Sequence, residues 1–411
     1  MSSIKFISHA SVIMELDGVR LLTDPWLAGT AFNESWSLLV PSHPLDDDYA
    51  TIDYIWVSHE HPDHFHLPTL RALPAEFRRR MTILFQDNHS TKMARAFKEI
   101  LGFGDVELIP HRGRLPLKNG VSAYCYHSRQ IDSALALSGS SKTLLNLNDC
   151  EMSAQDLSIL KADLGKIDVI LNQFSIAGFS GIEESLTEQA AGVLANYARD
   201  TQILDADYTV PFASFVYFCC SDNAFINNYA NTPAKAVAAI DAVGRTSVVM
   251  RPGDRWEVGR PFDNGPSLMF YEEAYRKMAA LPAHQPQAVP LEVIAEAFGR
   301  LSTHLRRNYS GLVLRALKPV VVEIPDLGRR MVFEIRTGRF EPAPETAATD
   351  LRVNSQPLHF AFANPFGVQT LGVSGRFRLL GNARNWMRHR TIFALNNAEI
   401  YLSARHLVKP K

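Results

Sequence analysis

The run Ser58-His59-Glu60-His61-Pro62-Asp63-His64 sets three imidazoles and two carboxylates close together, directly after the apolar stretch Ile52 to Val57. In extended chain, residues two apart point the same way, so His59 and His61 can grip one cation from one side. Pro62 forces a turn that carries Asp63 and His64 toward a second cation. Two-metal chemistry needs nitrogen and carboxylate ligands on ions about 3.5–4 Å apart, and this run supplies the first four.

Two further ligands are expected at the ends of later strands, where sites in layered α/β proteins gather. His127 closes the β-rich run Val121 to Tyr126, and Asp149 follows Thr143 to Leu147. His127 is assigned to the ion held by His59 and His61. Asp149 is placed between the ions as a bridging carboxylate, with Asp63 and His64 on the second ion. Taken alone, His127 and Asp149 read as capping groups at strand ends; the cluster makes them ligands. His66 and His89 read as surface residues or as groups behind the ligands.

The elements that must position these groups alternate between strand and helix. Phe6 to Leu16 and Val19 to Thr23 are β-rich runs joined at Asp17-Gly18, a hairpin signal. Ile52 to Val57 reads as a strand buried on both faces. Further strands are expected at Thr82 to Phe85, Val106 to Ile109, Val121 to Tyr126, Thr143 to Leu147 and Asp168 to Asn172. Helices are expected at Thr187 to Arg199, with capping-box spacing from Ser185 to Glu188, and at Pro233 to Val243. The pattern is that of an α/β protein with sheets inside and helices outside.

Residues 280 to 290 break the pattern, which divides the chain into a catalytic domain of residues 1–280 and a smaller α+β C-terminal domain of residues 285–411. In the latter, Leu291 to Arg307 reads as an amphipathic helix and Val320 to Ile324 with Met331 to Ile335 as a hairpin. Leu358 to Phe362, Gln369 to Val373 and Phe377 to Leu380 read as strands. This region carries no catalytic motif; it is expected to help close the pocket, form a homodimer, or bind an apolar group through Trp386 and Phe393.

The 411 residues carry 42 Lys+Arg against 43 Asp+Glu, a net charge of -1 that gives no electrostatic case for nucleic acid or an anionic membrane. A hydrophobic fraction of 46% with 21% charged residues is that of a globular chain. Apolar runs fall short of the ~20 residues that span a bilayer. The start, Met1-Ser2-Ser3-Ile4-Lys5, has no signal-peptide pattern, and Cys125, Cys150, Cys219 and Cys220 form no CxxC pair; a reducing cytoplasm is the expected location. Gly178-Phe179-Ser180-Gly181 lacks the last glycine of a nucleophile elbow and reads as a loop bordering the pocket. Ser138 to Lys142 reads as a hairpin turn, and Arg251-Pro252-Gly253-Asp254-Arg255 as a surface turn.

The cluster His59-Glu60-His61-Pro62-Asp63-His64, preceded by Leu22-Thr23-Asp24-Pro25, resembles the metallo-β-lactamase superfamily. The resemblance implies an αββα sandwich with a dinuclear site at one edge of the sheets, and a place for Asp24 beneath the metals, in the second shell. Asp24-Pro25-Trp26-Leu27-Ala28-Gly29-Thr30-Ala31-Phe32 with Trp36, together with Leu145 to Cys150, Asn196-Tyr197 and Pro211-Phe212-Ala213, is similar to the catalytic half of the CMP-N-acetylneuraminate hydroxylases, over roughly residues 1 to 270. That family implies non-haem iron and the hydroxylation of a C–H bond of a small organic substrate with dioxygen. Its Rieske domain needs paired cysteines and histidines that this sequence does not supply, so the resemblance implies electrons from a separate protein.

Hydrolases of the superfamily place a last histidine after the final core strand; between His127 and His284 this sequence has none. The remaining ligand of the second ion is therefore open among Asp205, Asp207, Asp222, Cys219 and Cys220. Trp26, Phe32 and Trp36 are expected to line an apolar substrate pocket or to pack structurally. The reading favoured is an oxidoreductase, a diiron monooxygenase; the alternative is a zinc-dependent hydrolase of an ester, amide or phosphodiester, since histidine with carboxylate suits either metal. A metal-free binding protein is the third reading.

Overall fold

The computed structural model describes residues 2–88, 91–128 and 131–402; His89 lies outside them. Two seven-stranded sheets face each other. In the first, the order runs Arg255–Glu257, Ser2–Ser8, Ser11–Leu16, Val19–Thr23, Tyr54–Trp56, Thr82–Gln86, Asp105–Ile109. In the second it runs Thr246–Ser247, Tyr208–Phe212, Val169–Gln173, Thr143–Asn148, Ser133–Ser138, Ser122–His127, Gly113–Pro116.

Strand alternation builds the layers. Ile4, Phe6, Val12, Met14, Leu21 and Trp56 face the second sheet and meet Ala123, Leu135, Leu144, Leu171 and Val210 in one buried cluster. The alternate residues Ile13, Leu22, Ile55 and Ile83 face outward and are covered by helices through Leu70, Phe77 and Phe97. On the other side, Leu145, Leu147 and Ile170 pack under Leu157 and Leu160 of the helix Ala154–Leu164. The result is the expected αββα sandwich, the metallo-β-lactamase fold. Each side chain so buried contributes roughly 1.5–3 kcal/mol of transfer free energy.

Several expectations are corrected in detail. Phe6 to Leu16 is not one strand: the chain turns at His9-Ala10, and Ser2–Ser8 pairs antiparallel with Ser11–Leu16. Ser185 precedes the helix Leu186–Leu204 but makes no capping bond, because a 3₁₀ turn, Glu183–Ser185, runs straight into the helix and the hydroxyl donates to Ile182 O instead (2.7 Å). Leu358 to Phe362 and Gln369 to Val373 are not strands but parts of the helices Ser355–Ala363 and Gly367–Ser374. Leu358, Ala361 and Phe362, like Val368 and Leu371, sit at helical spacing on the buried face, and that packing overrides their β-rich composition.

The C-terminal strands form a five-stranded sheet, Arg339–Pro342, Arg329–Glu334, Val320–Ile324, Leu351–Arg352, Arg378–Leu379, backed by the helix Leu291–Asn308. Its apolar cluster does not end at residue 280. Phe298, Phe333, Phe362, Phe377 and Trp386 belong to the same cluster as Trp26, Phe32, Trp36, Ile176 and Phe179 at the sandwich edge. Among the described residues, no helix is long and apolar enough to cross a membrane.

Candidate metal centre

The centre is built on the strand Tyr54–Trp56, whose buried run delivers Ser58 and His59 to the sandwich edge. Beside it, Val19–Thr23 ends in Asp24, fully buried, with φ +33°. Asp24 accepts hydrogen bonds from Ser58 N (2.7 Å) and Ser58 Oγ (2.7 Å), and lies 2.9 Å from His64 Nδ1. Asn148 Nδ2 also donates to it. The carboxylate thereby orients His64 with Nε2 turned outward, the supporting arrangement that fixes the tautomer of a ligating imidazole.

His64 Nε2 lies 3.2 Å from Asp63 Oδ2 and 3.3 Å from Asp149 Oδ2. His59, steadied by Ser58 Oγ at its Nδ1 (2.9 Å), presents Nε2 to His61 Nδ1 (2.7 Å), Asp132 Oδ1 (3.6 Å) and Asp149 Oδ2 (3.8 Å). His9, at the turn between the first two strands, completes the group with Nε2 3.3 Å from Asp63 Oδ2. Donor atoms therefore converge in three overlapping sets: His59, His61 and Asp132; His9, Asp63 and His64; and His59, His64 and Asp149, which joins them.

These residues fit a pair of cations. Ligand atoms on a cation with bonds of about 2.0–2.2 Å stand roughly 3.3–3.6 Å apart in tetrahedral geometry. Asp63 Oδ1, Asp132 Oδ1 and Asp149 Oδ1 are buried without a hydrogen-bond partner among the described residues. Folded proteins leave few such atoms, and among the described residues no lysine or arginine pairs with these three carboxylates, an arrangement that suits a bound cation.

The titration of the groups carries the same imprint. Burial lowers His59 and His61 below the ordinary imidazole range. Burial would lower His64 too, but the charges of Asp149, Asp63 and Asp24 overcome it and raise His64 well above that range. Asp63 and Asp149 are held low against burial, chiefly by His64. Burial and the charge of Asp149 push Asp132 up to about 7.

Of the expected ligands, the structure brings together His59, His61, Asp63, His64 and Asp149, with Asp24 beneath them. His127 is not in the group. It ends the strand Ser122–His127, its Nε2 is 3.2 Å from Ile109 O, and its ring lies beside His111 (5.4 Å). Asp132 stands where His127 was expected. Sheet pairing explains the exchange: His127 is opposite Ser133, so Asp132 immediately precedes the next antiparallel strand at the same edge, one strand nearer the centre. His9 and Asp132 escape a reading that looks for ligands only where strands end.

The open candidates for the remaining ligand fall elsewhere. Asp205 caps a helix and pairs with Lys161 (3.3 Å) and Arg245; Asp207 pairs with Lys166 (2.9 Å) and Asp222 with Arg376 (2.9 Å). The thiols of Cys219 and Cys220 both donate to Glu34 O (3.2 and 3.3 Å). His66 is buried, not on the surface, and accepts from Thr69 N (3.2 Å) as the N-cap of the helix Leu67–Ala72.

A cavity of about 450 Å³ opens onto the centre, with Phe32, Trp36 and Ile176 on its wall beside His61, Asp132 and Asp149. Val373 of the C-terminal region also lines it. Trp26 does not; it packs behind, stacked on His66 (5.5 Å) and edge-on to His9 (5.7 Å). Phe32, Asn33 and Glu34 are consecutive left-handed residues with φ +51°, +59° and +62°. Asn33 is held by Gln356 through two amide hydrogen bonds (3.0 and 2.8 Å).

Residues 3–130 match the family model of the beta-lactamase superfamily domain. A protein of Mycolicibacterium smegmatis, named for a Rieske 2Fe-2S iron–sulfur group, is 27% identical over 188 residues, 41% of this chain and 33% of that protein. The cytidine monophosphate-N-acetylneuraminic acid hydroxylase of Asterias rubens is 40% identical over 72 residues, 17% of this chain and 11% of that protein. The chain thus spans less than half the length of the curated relatives it matches. Among solved structures, CmlA, a diiron beta-hydroxylase from Streptomyces venezuelae, superposes at TM-score 0.42 and 15% identity over 62% of this chain and 53% of that one. An isothiocyanate hydrolase from Delia radicum gut bacteria superposes at TM-score 0.45 and 14% identity, over 62% and 98%.

Proposed function

We propose that this chain is a non-haem diiron monooxygenase that hydroxylates a C–H bond of a small organic substrate. The observation that carries the reading is the composition of the two ligand sets. His59, His61 and Asp132 make one grouping of two histidines and a carboxylate, and His9, His64 and Asp63 make another, with Asp149 shared between them. Two histidines with one carboxylate and open positions is the donor set of non-haem Fe(II) oxygenases. A dinuclear zinc hydrolase is the competing assignment, since two histidines with a carboxylate also hold catalytic zinc, and metal content separates the two.

When bound, the irons supply dioxygen activation: substrate C–H, dioxygen, two electrons and two protons yield the alcohol and water. The chain's own residues hold and shield. Asp24 and Ser58 fix the imidazoles of His64 and His59, so the ligand atoms need no reorganisation. Phe32, Trp36 and Ile176 give the substrate an apolar wall and keep bulk water from the reacting carbon. Reducing equivalents come from a separate electron-donor protein.

The test is metal content, and oxygen consumption with a chemical reductant, on the purified full chain. Two irons per chain with reductant-dependent oxygen uptake support the reading. Stoichiometric zinc with reductant-independent cleavage of an ester, amide or phosphodiester overturns it in favour of the hydrolase.

A further inference from the structure

A second cavity, of about 210 Å³, lies on the seam between the sandwich and the C-terminal sheet, away from the metal ligands. Asp222, Pro325, Asn354, Arg352, Arg376 and Arg378 line it. Three guanidiniums against one carboxylate leave an excess of two positive charges on this lining.

The carboxylate does not face the cavity alone. Asp222 is bound by Arg376 Nε through both oxygens (2.9 and 3.1 Å) and by Asn354 Nδ2 (3.1 Å). Arg376 is wholly buried; its Nη1 donates to Gln356 Oε1 (2.6 Å), while its Nη2 is buried without a partner among the described residues. Such an unpaired donor on a buried cation is costly unless something accepts from it.

Arg378 is held flat by aromatic rings, 3.6 Å over Phe225 and 5.2 Å from Phe179. Among the described residues it donates only to its neighbour Phe377 O (3.1 Å), and Glu183 stands 3.9 Å away. Arg352, half-exposed, gives Nε to Glu323 (3.0 Å). Burial depresses Arg378; the charges of Glu183 and Asp222 oppose that depression, and the like charge of Arg352 adds to it more weakly. An arrangement that crowds cations and leaves their forks unfilled is incomplete by itself; a planar or tetrahedral oxyanion completes it, because guanidinium forks match carboxylate and phosphate.

The geometry points to an anion-binding site at Arg352, Arg376 and Arg378, taking a carboxylate or phosphate group of a small molecule. The volume corresponds to roughly seven waters of liquid, room for one such group and little more. The site bridges the Val320–Ile324/Leu351–Arg352 sheet and the loop after Phe218, so its ligand would clamp the two regions together.

The experiment is a titration of the full chain with inorganic phosphate and, separately, with succinate, at ionic strength held constant with chloride. Tm and calorimetric binding are read together. Saturable stabilisation by either anion, weakened at least tenfold in both Arg378→Gln and Arg352→Gln and unchanged in Arg260→Gln, supports the site. The anion that binds tells a phosphate ligand from a carboxylate one. Stabilisation no greater than that given by chloride overturns the proposal. So does saturable binding that persists unchanged in both arginine variants, which would put the anion elsewhere, the metal centre included. Arg376 is left intact, since its removal would strand Asp222.

Discussion

Two clusters of buried charge flank the same apolar cluster and are balanced in opposite ways. At the sandwich edge, Asp63, Asp132 and Asp149 crowd together with imidazoles between them, and among the described residues one oxygen of each accepts nothing. On the seam, Asp222 meets a guanidinium and an amide, and its charge is answered inside the chain. A buried ion must be paired or bound to metal. The first cluster is therefore built to be finished by something that enters, whereas the carboxylate of the second is paired by folding itself and what stays open there are arginine donors, Arg376 Nη2 among them.

Removing one partner from each cluster separates these two cases. The largest effect is expected from Asp149→Ala, which takes the shared carboxylate from both donor sets. Metal content measured by mass spectrometry should fall from two ions per chain to less than one, with metal-free Tm little changed. If Asp149→Ala keeps both ions, the bridging role is wrong. On the seam the sign is reversed. Asp222→Ala strands Arg376 and should lower unfolding free energy by about 3–5 kcal/mol in denaturant titration, with metal content intact in the folded fraction.

A finer cut contrasts supporting and ligating residues. Asp24→Asn keeps the shape but takes away the acceptor that holds His64, so metal affinity should drop about 10–100-fold in competition with a chelator. Asp132→Ala should lose affinity at the His59/His61 position, and His127→Ala should not. The reverse outcome would restore the ligand expected from sequence.

The smallest effect is in protons. Metal binding requires deprotonated ligands. His64, raised well above its ordinary range by three carboxylates, and Asp132, pushed up to about 7, carry protons near neutrality, whereas His59 and His61, lowered by burial, do not. Binding at pH 7 should release more than one proton per chain, read by calorimetry in buffers of different ionisation enthalpy. Affinity should rise from pH 6 to pH 8. Release of none would mean that His64 and Asp132 are not displaced by metal.

The sequence exposes the short-range part of this design. His59 to His64 are set by one strand end and one proline, and Asp149 follows a buried strand, so local pattern locates them, whereas the place of Asp24 comes from the family resemblance. Asp132 and His9 are invisible to that logic because their positions depend on pairing across strands: one immediately precedes an antiparallel strand, the other sits in a turn inside what reads as a continuous β run. The helices Ser355–Ala363 and Gly367–Ser374 are missed for a related reason. Their length and apolar content look strand-like, and only the shared cluster with Phe298 and Trp386 makes the helical face pay.

The left-handed run Phe32-Asn33-Glu34 has a mechanical meaning. Non-glycine residues in this region are disfavoured by roughly 1–2 kcal/mol each, so the loop bearing one wall of the cavity is held in a conformation it would leave if released. The retaining grip comes from more than three hundred positions further along the chain, through Gln356 on Asn33 and Arg376 on the carbonyl of the same residue. The distal third of the polypeptide is thus a latch: cutting it away would let Phe32 relax out of place and unmake the pocket, even with every metal-binding side chain still present.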